Sequence, residues 1–429
     1  AGAAAFHSTY FGSTHPGSAA DLPRSDAVEW IWSGGATDSR AVVVARLLAA
    51  GPSDLVVTAD DGTGITVPGL ETGDRTVRFD IEGLRAGTQY TYAVRVNGVV
   101  DTARRGQFTT MPDGAASFLV AMGSCARSGS NGAVFDAIAA LEPLHFLQTG
   151  DAFYADIGAN DPAAFAAAYD QMLTSPAWQA LLLQSPVAYM WDDHDYGTND
   201  SGADSPARLA AWDAYRRIVP SYPLAGSGPI YQAFSAGRVR FILTDNRSMR
   251  SGPEVDDGPE KTMLGTEQLA WLEREFLGAA DDHVLVVWVN SVPWITPARP
   301  GADDWAGYAN ERGVFADMIV AAGIADRLVM VSGDAHMIAI DDGTNSDFSS
   351  TGGGGFSVLH AAALDRIGSL KGGPYSEGAF PGGGHIGTIA VADRGDTATV
   401  TLTGRDWLGR EIVAHTFEVT YPEADDGSG

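Results

Sequence analysis

The stretch "PVAYMWDDHDYGTND" (residues 186–200) joins a short apolar run directly to a dense group of charged side chains. The run predicts a buried strand, and Asp192, Asp193, His194 and Asp195 follow where that strand ends. Adjacent carboxylates repel one another unless a cation or an arginine neutralises them. The stretch therefore predicts a strand of an α/β sheet with a cation-binding cluster at its carboxyl end.

The same pattern recurs at other predicted strands along the chain. The segment "SFLVAMGSC" ends in Cys125, "LHFLQTGD" in Asp151, "HVLVVWVN" in Asn290, and "RLVMVSGDAH" in Asp334 and His336. In open α/β sheets the carboxyl edge of the strands is where binding sites are built. Taken together, these polar ends favour one shared site.

The change in segment type along the chain, from β-rich segments to alternating strands and helices, predicts two domains that comprise residues 1–111 and 112–429. Residues 27–111 contain short β-rich segments broken by turns, and "TTMPDGAAS" (109–117) is typical of a linker. The segment "GLRAGTQYTYAVRV" (83–96) resembles the late strands of a fibronectin type III or immunoglobulin-like sandwich. From residue 117 onward, strands alternate with amphipathic helices, which predicts an α/β domain.

Composition excludes several classes of function. The net charge is −27, from 54 acidic and 27 basic residues, so we expect no nucleic-acid-binding role. No apolar stretch approaches the roughly 20 residues of a membrane helix, and we expect no stable membrane anchor. A single cysteine, Cys125, allows no intramolecular disulfide. The N-terminus lacks an initiator Met and an apolar signal core, which indicates a processed or trimmed chain.

The types of donor predict metal rather than a nucleophile. Carboxylate and amide oxygens suit hard cations, whereas thiolate and imidazole suit transition metals, so the mixture indicates metals of different character. Two metals about 3.5–4 Å apart are a common arrangement for displacement at phosphorus. The alternative for Cys125 alone is a buried, small apolar residue.

Seven motifs in order, "GSC", "GDAFYAD", "WDDHDYGTND", "LTDNRSMR", "KTMLGTEQLAWL", "VNSVPW" and "VSGDAHM", resemble the PhoD-like alkaline phosphatase and phosphodiesterase family. This family belongs to the calcineurin-like metallophosphoesterases. The resemblance covers nearly the whole chain and implies a four-layer α/β sandwich behind an N-terminal fibronectin-like domain. One departure is "DNR" at residues 245–247, where the family is expected to have "DTR".

The resemblance also implies roles for individual residues. A ferric ion would be bound by Cys125, Asp151 and Tyr154, and Asp151 would bridge to one or two Ca²⁺ ions, with other divalent metals as alternatives. The implied metal ligands are Cys125, Asp151, Tyr154, Asp193, Asn290, Asp334 and His336. The implied catalytic residues are His194, Arg247 and Arg250, with the two guanidinium groups facing the phosphoryl oxygens.

The implied reaction is in-line attack of a metal-activated hydroxide on small phosphate esters, either monoesters or diesters. The resemblance further implies a bacterial protein exported to the periplasm or the exterior. Two alternatives stay open from the residues. One is a hydrolase that uses Cys125 or Ser124 as nucleophile, and the other is a non-catalytic binding protein. Trp294, Trp305 and Tyr308 fit either a substrate mouth or core packing.

Overall fold

The computed structural model describes residues 15–225 and 228–420. The expected N-terminal domain therefore extends, over residues 1–14, outside the described chain, and the expected catalytic domain does so over residues 226–227 and 421–429. Within the described ranges no helix has the length and apolar character needed to cross a membrane. The strands, numbered in chain order, form three sheets in this part of the chain.

In the described chain, the first sheet has ten strands with parallel strands at its centre. Their order is β22 (Glu411–Thr420), β21 (Thr397–Arg405), β20 (Ile386–Asp393), β10 (Ser117–Gly123), β11 (His145–Thr149), β12 (Val187–Met190), β1 (Val28–Gly34), β2 (Arg40–Leu47), β6 (Thr76–Glu82) and β5 (Leu70–Gly73). Strands β10, β11 and β12 are parallel, with Val120 opposite His145 and Phe146 opposite Val187. Their carboxyl ends therefore lie at one edge.

A second sheet supplies the other parallel strands. Its order is β13 (Gln232–Ala236), β14 (Val239–Leu243), β15 (Leu285–Val289), β16 (Leu328–Ser332), β18 (Ser357–Ala361), β17 (Met337–Asp341) and β19 (Ala379–Pro381). Strands β14, β15, β16 and β18 are parallel. All five residues of β15, "LVVWV", are buried, as expected for an interior parallel strand.

The helices cover the outer faces of these two sheets. They are α1 (Ala133–Ala140), α2 (Pro162–Leu173), α3 (Pro176–Leu182), α4 (Asp193–Tyr196), α5 (Arg208–Ile218), α6 (Thr266–Asp282) and α7 (Ala309–Ala322), with 3₁₀ turns at Trp305–Tyr308 and Ala325–Arg327. Helix α2 begins where Pro162 follows Asp161, whose carboxylate accepts from the backbone N–H groups of Ala163 and Ala164.

Alternating strand residues separate the core into layers. Leu147 and Val287 belong to the cluster between the two sheets. Their neighbours point the other way, because Phe146 packs with the helices of the first sheet and Trp288 with those of the second. The result is a helix–sheet–sheet–helix sandwich, the mixed α/β arrangement that the resemblance implied.

The N-terminal strands are joined to this sandwich. The third sheet has the order β4 (Gly64–Pro68), β3 (Ser53–Ala59), β7 (Gln89–Val96) and β8 (Val99–Val100), with β9 (Gly106–Thr109) also paired to β7. Strand β1, however, pairs with β12 of the first sheet, Gly34 opposite Val187. A Cβ at Gly34 would lie 2.5 Å from the Val187 carbonyl oxygen, so glycine permits this approach. Hydrogen bonding thus continues across the expected boundary at residues 111–112.

A local feature of the expected sandwich is present in this region. The Tyr90 hydroxyl accepts from the backbone N–H of Arg85 at 2.9 Å. A tyrosine bonded to the backbone a few residues upstream is a feature of immunoglobulin-like corners. Phe79 of the first sheet and Val57 of the third sheet lie in the same apolar cluster as Leu147. The assignment of residues 1–111 to a separate domain remains a prediction.

Candidate active site

Several expected site residues occupy strained turns directly after parallel strands. Cys125, Asp151 and Asp334 have φ values of 59°, 51° and 69°, in the left-handed region that non-glycine residues rarely adopt. Such strain is concentrated at functional sites, where the surrounding structure enforces it. Gly150, with φ of 106°, lets this turn pass close to Asp192, because a Cβ on Gly150 would lie 2.6 Å from the Asp192 Cβ.

One group of donors surrounds the Asp151 Oδ2 atom. The Tyr154 hydroxyl donates to this oxygen at 2.8 Å, and the Cys125 Sγ atom lies 3.5 Å from it. The Tyr154 oxygen is also 3.3 Å from His336 Nε2. Thiol, carboxylate, phenol and imidazole, supplied by three separate loops, thus converge on one point.

A second group of donors lies beside the other oxygen of Asp151. The backbone N–H of His194 donates to Asp151 Oδ1 at 3.3 Å. Ligand atoms of Asp151, Asp193 and His194 all lie within 4.8 Å of one another, a spacing that fits a bound metal ion. The Asp151 carboxylate therefore stands between the two donor groups.

The electrostatic surroundings of Asp151 and Asp195 favour a nearby cation. Burial, followed by the charges of Asp193, Asp192 and Asp195, raises the pKa of Asp151 well above its ordinary range. Burial also raises the pKa of Asp195, to about 6. The Oδ2 atom of Asp192 is buried without a hydrogen-bond partner among the described residues. A cluster of buried, undercompensated carboxylates fits a multivalent metal ion.

His336 presents a neutral nitrogen to the first donor group. Its Nδ1 atom lies 2.6 Å from the Ile367 carbonyl oxygen, so the Nδ1–H group donates there and Nε2 keeps its lone pair. Burial lowers the pKa of His336 to about 4, although the bond to Ile367 opposes this shift. A second partner that fixes the tautomer is usual for metal-binding histidines.

His194 is oriented by Asp156, a contact that the sequence interpretation missed. Its Nδ1 atom lies 2.6 Å from Asp156 Oδ1, and its ring packs 4.1 Å from the Tyr154 ring. An ionised carboxylate only accepts, so Nδ1 carries a proton and Nε2 is the ring nitrogen that Asp156 does not engage. The signal was present in "GDAFYAD", which places Asp156 five residues after Asp151.

Both expected catalytic arginines, Arg247 and Arg250, are bonded to carboxylates in the structure. Arg247 donates from Nε to Asp192 at 2.5 Å and from both Nη atoms to Asp303 at 3.0 Å. Arg250 pairs with Asp303 as well and donates from Nε to the Tyr308 hydroxyl at 2.8 Å. Both side chains are fully buried, and buried guanidinium groups require such partners. Their contact with phosphoryl oxygens remains a prediction.

Asp334 and Asn290 are also engaged by protein groups. The Lys371 ammonium bonds both Asp334 oxygens, at 2.7 and 2.9 Å. Asn290 is buried, and its Oδ1 atom accepts from Asn246 at 2.8 Å and from the Trp305 indole at 3.2 Å. The structure therefore places Asn290 in a side-chain network, and its role as a ligand remains a prediction.

The aromatic residues near the site belong to the core. Trp294, Trp305 and Tyr308 are fully buried and pack in the cluster that includes Trp288. Of the two interpretations that the sequence left open, core packing is the one observed.

The fold and these clustered donors define a metal-dependent phosphoester hydrolase. The chain belongs to the PhoD-like phosphatase family, whose model matches residues 118–360. It is a phosphoric ester hydrolase, as the sequence resemblance implied.

Solved structures agree with this fold. The structure of PhoD is similar with a TM-score of 0.73 at 17% identity, and the match covers 92% of this chain and 90% of that chain. Purple acid phosphatase PPD1 from yellow lupin seeds is similar with a TM-score of 0.66 at 12% identity, over 91% of this chain and 74% of that chain. None of the curated proteins compared with the chain matches it.

Proposed function

We propose that the protein hydrolyses phosphate esters with a ferric ion held by Cys125, Asp151 and Tyr154, with His336 beside it, and with Ca²⁺ held by Asp151 and Asp193. The observation that carries this proposal is the position of Asp151. Its Oδ2 atom contacts the thiol and the phenol, and its Oδ1 atom accepts from the His194 backbone N–H. Ligand atoms of Asp151, Asp193 and His194 lie within 4.8 Å of one another. Phenolate and thiolate stabilise a ferric ion, whereas carboxylates suit calcium.

The chain's own residues account for the remaining steps. Bound metal ions would supply positive charge to the transferring phosphoryl group and activate the attacking water. Asp156 accepts from the Nδ1–H group of His194, so its carboxylate would stabilise a His194 ring that also carries a proton on Nε2, and that Nε2 proton would pass to the leaving oxygen.

A cysteine or serine nucleophile fits the geometry less well. Burial, followed by the charge of Asp151, raises the pKa of the Cys125 thiol, which disfavours a free thiolate. The side chain is completely buried. The Ser124 hydroxyl contacts the Cys125 sulfur at 3.4 Å, which is not the contact with a base that a serine nucleophile needs.

Export and an N-terminal positioning module complete the proposal. Membership of the PhoD-like family supports export from a bacterial cell. The pairing of β1 with β12 supports a role for the N-terminal strands in holding the first sheet in position. Neither assignment is needed for the chemistry.

Metal removal and reconstitution test the proposal. We expect chelation to abolish hydrolysis of p-nitrophenyl esters, and iron with calcium to restore it. Asp151→Asn should lose at least about 10³-fold in kcat and should bind both metals poorly, since it removes the shared carboxylate. Full activity after chelation, with inactivation by a thiol reagent, would instead support the nucleophile.

A further inference from the structure

Both buried arginines of the site share one carboxylate, that of Asp303. Arg247 makes a bidentate contact with its two oxygens, each at 3.0 Å. Arg250 pairs with the same side chain and donates to its backbone oxygen at 3.0 Å. The remaining Nε atom of Arg247 is bonded to Asp192. The positive charge of these groups is therefore matched before any anion enters the site.

Asp303 also faces the acidic side of the site. Carboxylate oxygens of Asp193, Asp200 and Asp303 lie within 4.8 Å of one another. Burial, followed by the charges of Asp303 and Asp193, raises the pKa of Asp200. The Asp303 side chain is 17% exposed, so it lies at the solvent side of the arginines it binds. An incoming anion thus meets a carboxylate together with each guanidinium group.

The loop that carries Asp303 is held in place on both sides. Ala302 and Asp304 are each 3% exposed. The Asp304 carboxylate accepts from the backbone N–H of Ala306 at 2.8 Å, and Arg299 N–H donates to the Ala306 carbonyl oxygen at 2.9 Å. Because its neighbours are fixed, Asp303 is a permanent part of the wall of the site.

The positive charge of Lys371 is also compensated, since its ammonium is bonded to both oxygens of Asp334.

Resting on the proposed function, we propose that Asp303 is a specificity-determining residue, which makes the site select phosphodiesters over phosphomonoesters at alkaline pH. A diester carries one negative charge, whereas a monoester, with a second pKa near 6, carries two. Because Asp303 already neutralises the guanidinium groups of Arg247 and Arg250, these groups cannot offset the second charge of a monoester, and such a difference in charge compensation discriminates between ligands.

The test compares two substrates with one leaving group, bis(p-nitrophenyl) phosphate and p-nitrophenyl phosphate, on the metal-loaded full chain. We expect the wild type to prefer the diester in kcat/KM. Asp303→Asn should lower the diester-over-monoester ratio about tenfold, chiefly through a lower KM for the monoester. It should also strengthen inhibition by inorganic phosphate about tenfold.

Two variants serve as controls. Asp303→Glu keeps the charge and should keep the ratio, whereas Asp113→Asn removes one exposed charge from the linker and should leave both values unchanged. A wild type that prefers the monoester, or an active Asp303→Asn with an unchanged ratio, would overturn the inference. So would a loss of bound metal in Asp303→Asn, because Asp303 would then be a metal ligand. A wild type with no metal-dependent activity on either ester would instead contradict the proposed function.

Discussion

The single residue Asp151 contacts donor groups of different chemical type. Its two oxygens, on a residue in the left-handed region, face a thiol and phenol on one side and a second carboxylate on the other. Burial, followed by the charges of Asp193, Asp192 and Asp195, raises the pKa of Asp151, whereas the hydrogen bond from Tyr154 lowers it. A bound cation would offset the repulsion among these carboxylates.

Asp156 provides the first prediction. Asp156→Asn should lower kcat about 10- to 100-fold with little change in bound metal, because His194 loses the partner that fixes its tautomer. The measurement is steady-state kinetics on a p-nitrophenyl diester with elemental analysis of the same sample. Asp113→Asn is the control, since this aspartate is exposed and lies in the linker. Unchanged kcat, or loss of metal in proportion to activity, would contradict the role.

The sequence predicted the site residues that directly follow strands, but not those on loops that fold back toward the site. Cys125 and Asp151 meet because the neighbouring parallel strands β10 and β11 place their carboxyl ends together, and His336 follows β16 of the second sheet. Asp303 and Lys371 lie on loops whose paths depend on tertiary packing. No local pattern marks such residues, and both arginine contacts were missed for this reason.

At the scale of an element, helix α4 shows how a four-residue segment positions the acidic cluster. Asp195 accepts from the backbone N–H groups of Asp192 at 2.7 Å and Ala152 at 2.9 Å, and from the Tyr189 hydroxyl at 2.7 Å. Its carboxylate thus ties α4 to the turn after β11. Asp193, in contrast, accepts from Asp200 N–H and lies in the donor group.

The second prediction separates these two neighbours. Asp193→Asn should abolish activity with modest loss of stability, because it removes a donor for the metal. Asp195→Asn should cost about 1–3 kcal/mol in the free energy of unfolding and should reduce activity without abolishing it. The reason is that the Asn amide would direct an N–H donor toward groups that are themselves hydrogen-bond donors. Denaturant unfolding and kinetics on both variants provide the check, and equal losses of activity would contradict it.

At the scale of the whole molecule, a histidine lies buried between the two sheets. His145 in β11 packs edge-on against Phe234 and Phe241, with ring centroids 5.2 and 4.9 Å away. Neither ring nitrogen has a hydrogen-bond partner among the described residues. Burial lowers the pKa of His145 to about 3. Nothing in the alternating pattern of "HFLQT" predicted that its histidine would be part of this core.

The third prediction follows from that lowered pKa. The unfolded chain takes up a proton at His145 below about pH 6.5, whereas the folded chain does so only near pH 3. The contribution of His145 to stability should therefore fall as pH decreases from 6.5 to 3, by up to about 1.4 kcal/mol per pH unit. His145→Leu should gain stability relative to the wild type across this range.

Denaturant unfolding of both proteins at several pH values measures this difference. His415→Leu, at a partly exposed position on β22, is the control and should show no comparable gain. A difference between wild type and His145→Leu that stays constant from pH 7 to 4 would contradict the interpretation.

The central claim, a ferric ion bound by Tyr154 and Cys125 beside calcium, is tested most directly by a visible absorption spectrum taken with elemental analysis. We predict a broad charge-transfer band with iron and calcium in the purified protein, and a band that shifts or disappears in Tyr154→Phe. Phe315→Leu, in the core of α7, should leave the band unchanged. A colourless, active protein that contains only zinc, manganese or magnesium would contradict the ferric site.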